Sequence, residues 1–170
     1  ADVGADFSRG HKIYNNVFVG GMNTFVYCRP GNNTVTRLTD CYFGYNTIVA
    51  LAGITGEALE GATLAGAPHS TSVFENNIVF MPAGVLLMNH PADPMNGLKG
   101  RGNVLYRPGG AGAVPAWLNG PGTILADPGL RNPTAAIVDN GGVLLADPYA
   151  GNNFNVHNYE IVSGASPAIN

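Results

Sequence analysis

Short apolar runs, each preceded by a polar pair, recur along the chain. Val17-Phe18-Val19 follows Asn15-Asn16, and comparable units are Thr39-Asp40-Cys41-Tyr42-Phe43, Asn76-Asn77-Ile78-Val79-Phe80 and Gly102-Asn103-Val104-Leu105-Tyr106. Runs of this length, rich in β-branched and aromatic residues and bounded by Asn, Gly and Pro, predict short strands. Amphipathic stretches of helical period are absent, apart from a weak candidate over residues 55–64. The pattern therefore predicts an all-β fold.

The polar residue before each run marks a repeat. The markers Asn16, Asp40, Asn77 and Asn103 are 24, 37 and 26 residues apart, which is typical of a solenoid with one long insertion. We expect them to form a ladder of side-chain hydrogen bonds, in which an ionised Asp40 bonds backbone N–H groups or a cation such as Arg37. In this register the stacked rows are Val17, Cys41, Ile78 and Val104, and Val19, Phe43, Phe80 and Tyr106.

A second strand is predicted after each of these runs. The segments are residues 24–28, 47–52, 84–88 and 114–118, and both of their faces are apolar. Strands with this pattern are buried on both sides, and a contiguous apolar stripe on a soluble protein marks an interface. We therefore expect the outer stripe, which includes Phe25, Ile48 and Val85, to be covered by the loop over residues 53–70 or by another subunit.

Composition narrows the class of protein. The chain has 170 residues, enough for one domain, and only 11% of them are charged against about 25% in an average globular domain. The 24 glycines and 12 prolines favour a turn-rich fold. A net charge of -3 argues against nucleic acid as a partner, and no apolar run is long enough to predict a membrane helix. Cys28 and Cys41 lack metal-ligand spacing; buried thiols or a disulfide both fit them.

The polar-pair units and the tail together carry a family resemblance. The units match the tight corner of right-handed parallel β-helix proteins of the pectate-lyase-like superfamily. The tail, with Leu125-Ala126-Asp127-Pro128-Gly129-Leu130 and Ser163-Gly164-Ala165-Ser166-Pro167-Ala168-Ile169-Asn170, resembles the ending of its secreted bacterial members. An inserted Ala165, and Asn170 in place of Asp, depart from that ending.

The resemblance implies a single domain in the form of a right-handed parallel β-helix of about four to six coils. Its parts would be a lead-in over residues 1–10, stacked coils over 11–123, and terminal coils with an irregular cap over 124–170. The resemblance also implies secretion and a polysaccharide partner, with the glycan lying beside loops of variable length. The resemblance further implies that the chain represents the C-terminal coils of such a protein.

Those loops contain the candidate site residues. Polysaccharide lyases need a cation to neutralise a uronate and a base to remove a proton, and glycosidases need two carboxylates. The candidate catalytic residues are Glu57, Glu60, Asp93 and Arg29, and the candidate substrate-binding residues are His90, Trp117 and Arg101. Competing structural interpretations exist, because Ala-Asp-Pro recurs at Asp127 and Asp147 as a turn motif and a lone Trp often packs in a core. No metal site and no cofactor are predicted.

Two classes of function remain open at this level. The first is a secreted protein that cleaves or binds polysaccharide at a groove beside the coil loops. The second is a non-catalytic structural or adhesive module that self-assembles, or packs on a partner, through its apolar outer stripe and an open coil end. Because the fold does not determine the function, the first rests mainly on resemblance.

Overall fold

The computed structural model describes residues 7–20, 25–28, 37–50, 59–61, 71–83, 97–110, 112–134, 159–162 and 166–168. All paired strands in this part of the chain run parallel, so the all-β prediction is confirmed. Across those residues, no helix has the length and apolar character needed to cross a membrane. The strands are β1 Phe7–Arg9, β2 Lys12–Tyr14, β3 Val17–Gly20, β4 Phe25–Cys28, β5 Arg37–Thr39, β6 Tyr42–Gly44, β7 Thr47–Ala50, β8 Leu59–Gly61, β9 Val73–Glu75, β10 Ile78–Phe80, β11 Lys99–Arg101 and β12 Val104–Tyr106.

The strands form two four-stranded sheets and two pairs. We call β2, β6, β9 and β11 the upstream sheet, and β3, β7, β10 and β12 the downstream sheet, because each upstream strand leads through a two-residue corner into a downstream strand. β1 pairs with β5, and β4 pairs with β8. β1 lies within the predicted lead-in over residues 1–10. Ile124, one residue after the predicted end of the stacked coils, still forms a parallel bridge with Val104.

The pairing register corrects the predicted repeat. Lys12 lies beside Tyr42, Tyr42 beside Val73, and Val73 beside Lys99, so the steps are 30, 31 and 26 residues. The predicted register, in which the first two steps are 24 and 37 residues, is therefore wrong for the second repeat. Cys41 and Phe43 do not belong to the downstream rows, where Thr47 and Val49 stand instead.

Backbone geometry at the corner explains both the repeat and the error. The first corner residue has a positive φ in every repeat: 57° at Asn15, 56° at Tyr45, 54° at Asn76 and 62° at Gly102. Asn and Gly tolerate this left-handed conformation, whereas a tyrosine rarely adopts it. Tyr45 therefore conceals the second corner in the sequence, and the true marker of that repeat is Asn46.

Asp40 belongs to a different corner, the one that leads from β5 into β6. Its φ is 54°, and Gly10 and Thr71 occupy the same position in the neighbouring repeats with φ of 71° and 57°. Its carboxylate accepts a hydrogen bond from Arg9 Nε at 3.1 Å and another from the Thr71 hydroxyl. The prediction of a cation partner for Asp40 is confirmed by Arg9, and the side chain of Arg37, the cation named in that prediction, is not described. The predicted place of Asp40 in the asparagine ladder is wrong.

The ladder itself consists of Asn16, Asn46, Asn77 and Asn103. The side-chain oxygen of Asn77 accepts from the backbone N–H and the Nδ2 of Asn46, both at 3.0 Å, and its Nδ2 donates to Asn103 Oδ1 and to the carbonyl of Phe43. Asn46 and Asn103 repeat this arrangement with the carbonyls of Ile13 and Phe74. Asn46, Asn77 and Asn103 are buried, and the hydrogen bonds of the ladder satisfy their side-chain amides.

The main core lies between the two sheets. Ile48, Val79 and Leu105 point into it from the downstream sheet, and Phe43 and Phe74 from the upstream sheet. A strand predicted at residues 114–118 is absent, because the chain turns there around Pro115, which has no N–H to donate to a sheet. Cys41 is buried, and its thiol donates a hydrogen bond to the Thr39 carbonyl at 3.4 Å and forms no disulfide, so Cys41 is not paired with Cys28.

A second apolar cluster covers the opposite face of the downstream sheet. Val49 and Phe80 point away from the main core and pack against Leu130, Tyr159 and the half-buried Ile161. Leu130 and Ile161 form an antiparallel bridge within this C-terminal cover. Ile48 was expected in the covered outer stripe, but it points into the main core and is fully buried there, so it is not an outer residue. Phe25 has no described side chain, and Val85 and most of loop 53–70 lie outside the described residues. The segment seen covering the downstream sheet is the tail.

Candidate functional site

The outward face of the upstream sheet carries the polar and aromatic residues of the repeats. Strand alternation places Ile13, Phe43, Phe74 and Gly100 inward, and their neighbours outward. We call this outward surface the open face; it consists of Lys12, Tyr14, Tyr42, Gly44, Val73, Glu75, Lys99 and Arg101. Three cations stand against one carboxylate, a local charge of +2 on a chain whose formal net charge is -3. Such a face attracts anions.

Tyrosines lie at one end of the open face and at the corner beside it. Tyr14 and Tyr45 are 52% and 58% exposed, which is high for large aromatic side chains. The Tyr42 ring lies over Gly44, since a Cβ added at that glycine would be 2.3 Å from Tyr42 Oη. Together with Lys12 these tyrosines line an open cleft of about 520 Å³. The cleft combines aromatic faces, phenol hydroxyls and one ammonium group.

Glu75 lies at the centre of the face and is already engaged. It forms an ion pair with Arg101 Nε, and its hydrogen bond with Arg101 raises the pKa of that guanidinium above its ordinary value. Burial is the main cause that raises the pKa of the Tyr42 phenol. The negative charge of Glu75 and a hydrogen bond to Glu75 raise that pKa further. At neutral pH Arg101 is therefore a cation, Tyr42 is a neutral hydrogen-bonding group, and neither is a base.

A second cleft, of about 420 Å³, lies at the other end of the face, between Lys99, Arg101 and Trp117. Gly100 allows the Trp117 segment to approach this closely, because a Cβ there would lie 2.7 Å from both the Leu118 Cα and the Trp117 carbonyl oxygen. The Trp117 ring packs edge-on against Phe74 with ring centroids 5.9 Å apart, and its Nε1 finds no hydrogen-bond partner in the described part of the chain. The packing interpretation of Trp117 therefore has support, and its role in substrate binding stays a prediction.

The predicted site residues divide into two groups. Trp117 and Arg101, both expected to bind substrate, line the same cleft. Glu60 lies in β8, with its side chain undescribed, and Arg29, Glu57, His90 and Asp93 lie outside the described residues, so their roles stay predictions. The turn interpretation of Ala-Asp-Pro is confirmed at Asp127, whose carboxylate accepts the Gly129 N–H at 2.8 Å.

Sequence reasoning missed Lys12, Tyr14, Tyr42 and Tyr45. The available signal was the alternation in Lys12-Ile13-Tyr14 immediately before an asparagine pair, which places Lys and Tyr on one face of a strand and Ile on the other. Within the described residues, no three His, Cys, Asp or Glu side chains are grouped closely enough to hold a metal ion. No protein-family model, curated protein or solved structure matched the chain when they were compared with it.

Proposed function

We propose that the chain forms a right-handed parallel β-helix and binds an acidic polysaccharide along its open face. The parallel sheets, their two repeated corners and the asparagine ladder support the β-helix, and right-handed crossovers are the rule between parallel strands. The observation that carries the binding function is the grouping of Tyr14, the half-buried Tyr42 and three exposed cations on the open face, with the exposed Tyr45 at the adjoining corner. This function places the protein outside the cell, where acidic polysaccharides occur.

The face suits a chain of sugars better than a small molecule. Four strands about 4.8 Å apart make a surface roughly 14 Å wide, with the tyrosine cleft at one edge and the Trp117 cleft at the other. Aromatic rings pack against the apolar faces of sugar rings while their hydroxyls stay hydrated. Lys12, Lys99 and Arg101 supply charge-assisted hydrogen bonds for carboxylate or sulfate groups on the glycan.

The described side chains favour binding over cleavage at this face. A glycosidase needs two free carboxylates, whereas Glu75 is the one carboxylate on the open face and is paired with Arg101. A lyase needs a base, but the raised pKa values of Arg101 and Tyr42 keep both groups protonated at neutral pH. Cleavage by Arg29, Glu57, Glu60 and Asp93 remains a separate prediction about loops beyond the described residues.

The test is calorimetric binding of oligogalacturonate at low and high salt, compared with an uncharged oligogalactan. The double variant Lys12→Gln/Lys99→Gln is expected to bind oligogalacturonate about tenfold more weakly, because two charge-assisted contacts are lost. Arg131→Gln removes a similarly exposed cation from the C-terminal cover and is expected to bind as the wild type does. Binding that is unaffected by the double variant and by salt would overturn the proposal.

A second function, assembly through the first repeat, is favoured by a separate observation. β2 and β3 are edge strands of the described sheets, and Phe18 is only half-buried where its row partners Ile48, Val79 and Leu105 are fully buried. An edge of this kind can pair with a further strand. Light scattering distinguishes the two functions: a monomer that binds glycan supports the first, and a concentration-dependent polymer supports the second.

A further inference from the structure

A cleft of about 590 Å³ follows the asparagine corner on the outside of the ladder. We call it the ladder-corner cleft. Its floor is formed by the corner residues Tyr45, Asn76, Gly102 and Gly122. One wall is the first residue of β7, β10 and β12 together with Ile124, and the other is Pro167 and Ala168 from the tail. Its volume lies within the range of about 300–1,000 Å³ that is typical of small-molecule sites.

The polar groups of this cleft are neutral. Tyr45 contributes a phenol, Thr47 a hydroxyl and Asn76 a side-chain amide, and none of the residues that line the cleft is charged. The amide of Asn76 lies over Gly102, since a Cβ added there would be 2.5 Å from Asn76 Oδ1. Among the described residues this amide has no hydrogen-bond partner, whereas the neighbouring amide of Asn77 is fully bonded. Asn76 therefore keeps two donors and an acceptor for a ligand.

The apolar part of the lining complements those groups. Ile78, Ile124 and Pro167 supply hydrocarbon surface, and Ile124 is 40% exposed within the cleft wall. A ligand that fits needs one apolar face, several hydroxyl groups and no charge. Sugar rings have this combination, and burying an anion among these groups would leave it unpaired.

We propose that the ladder-corner cleft binds an uncharged saccharide unit, independently of the acidic polysaccharide proposed for the open face. The amide of Asn76 and the hydroxyl of Thr47 bond the sugar hydroxyls, and the ring lies against Ile124 and Pro167. The two sites meet at Tyr45, which lines both the tyrosine cleft and the ladder-corner cleft. A branched or mixed glycan is thus able to occupy both.

The test uses four uncharged tetrasaccharides as probes: cellotetraose, maltotetraose, xylotetraose and galactotetraose, each titrated at millimolar concentration into isotope-labelled protein and followed by NMR. At least one is expected to shift the side-chain amide signal of Asn76. Asn76→Gly keeps the positive φ and removes the amide, and Thr47→Val removes the hydroxyl without changing the size of the side chain. Each variant is expected to bind that tetrasaccharide about two- to tenfold more weakly, because one or two neutral hydrogen bonds are lost.

The matched control is Asn15→Gly, which makes the same substitution at the same corner position two repeats earlier, outside this cleft. Its affinity for the tetrasaccharide is expected to equal that of the wild type. The inference is overturned if none of the four probes binds, or if Asn76→Gly and Asn15→Gly change the affinity equally. The double variant Lys12→Gln/Lys99→Gln separates the two proposals: it is expected to lose affinity for oligogalacturonate and to keep its affinity for the uncharged tetrasaccharide, because neither lysine lines the ladder-corner cleft.

Discussion

The outward faces of the two four-stranded sheets come from the same repeats and have opposite characters. The open face carries tyrosines, exposed cations and Glu75, which is paired with Arg101, whereas the outward face of the downstream sheet presents Val19, Val49, Phe80 and Tyr106 to the tail. Only a two-residue corner separates a strand of one from a strand of the other. Which face is available to a ligand is therefore decided by the outward residues of each strand and by where the chain's own C-terminal segment packs.

The comparison also shows what the asparagine ladder contributes. Both faces depend on a corner that turns the chain sharply and buries polar backbone groups, and the ladder bonds those groups from one repeat to the next. The ladder keeps the two rows of strands in register, so that side chains about 4.8 Å apart line up along each face. The chemistry of the faces can then vary without changing the frame.

The largest expected effect comes from placing the same charge on each face. Val49→Lys puts an ammonium group at a fully buried position beneath the C-terminal cover, and we expect a loss of about 4 kcal/mol or more in the free energy of unfolding. Val73→Lys makes the same substitution on the open face, next to Lys99, and we expect a change within about 0.5 kcal/mol. Urea unfolding followed by circular dichroism measures both.

The two lysine variants are also expected to differ in their affinity for oligogalacturonate. Val73→Lys adds a fourth cation to the open face and is expected to raise the affinity for oligogalacturonate. If Val49→Lys unfolds at the same urea concentration as Val73→Lys, the downstream face is not covered in solution and the contrast between the faces is wrong.

The next effect tests the frame that the faces share. Asn77→Ala removes an inner rung, leaving the Nδ2 of Asn46 and the carbonyl of Phe43 buried without these partners, and we expect a loss of about 3 kcal/mol. Asn16→Ala removes the exposed first rung, whose amide bonds Asn46 and its own neighbour Tyr14, and we expect about 1 kcal/mol or less. Thermal or urea unfolding ranks the two; equal losses would contradict the buried ladder.

The sequence predicted the strands of three repeats and three of the four asparagines of the ladder, since apolar runs after an asparagine are a local signal. It failed at the second repeat, where the corner is Tyr45-Asn46 and the conspicuous polar residue, Asp40, belongs to the preceding corner. Propensity could not reveal this, because tertiary pairing holds Tyr45 in a backbone conformation that tyrosine rarely adopts. Only the pairing of β6 with β2 and β9 resolves the register.

The candidate site was predictable in part. Trp117 and Arg101 were selected by residue type, and the structure brings them to one cleft. The family resemblance implied a site among the loops of variable length, whereas the tyrosines of the open face stand on the strands between them. The C-terminal cover was beyond sequence reasoning, since Leu130 and Tyr159 meet Val49 and Phe80 only through long-range packing.

The smallest expected effect concerns the pH dependence of the covered face. Burial raises the pKa of Tyr159 above its ordinary value of about 10, so the unfolded chain loses this proton before the folded chain does. The stabilisation is present below about pH 10 and is lost as the pH rises through the folded pKa. Tyr159→Phe has no phenol to ionise and should lose less stability between about pH 9 and about pH 11, as measured by urea unfolding across that range. The pKa of Tyr42 on the open face is raised as well, so Tyr159→Phe is expected to reduce the loss of stability at alkaline pH and not to abolish it. Identical pH profiles for the wild type and Tyr159→Phe would mean that the phenol is hydrated and that the tail does not seal the downstream face.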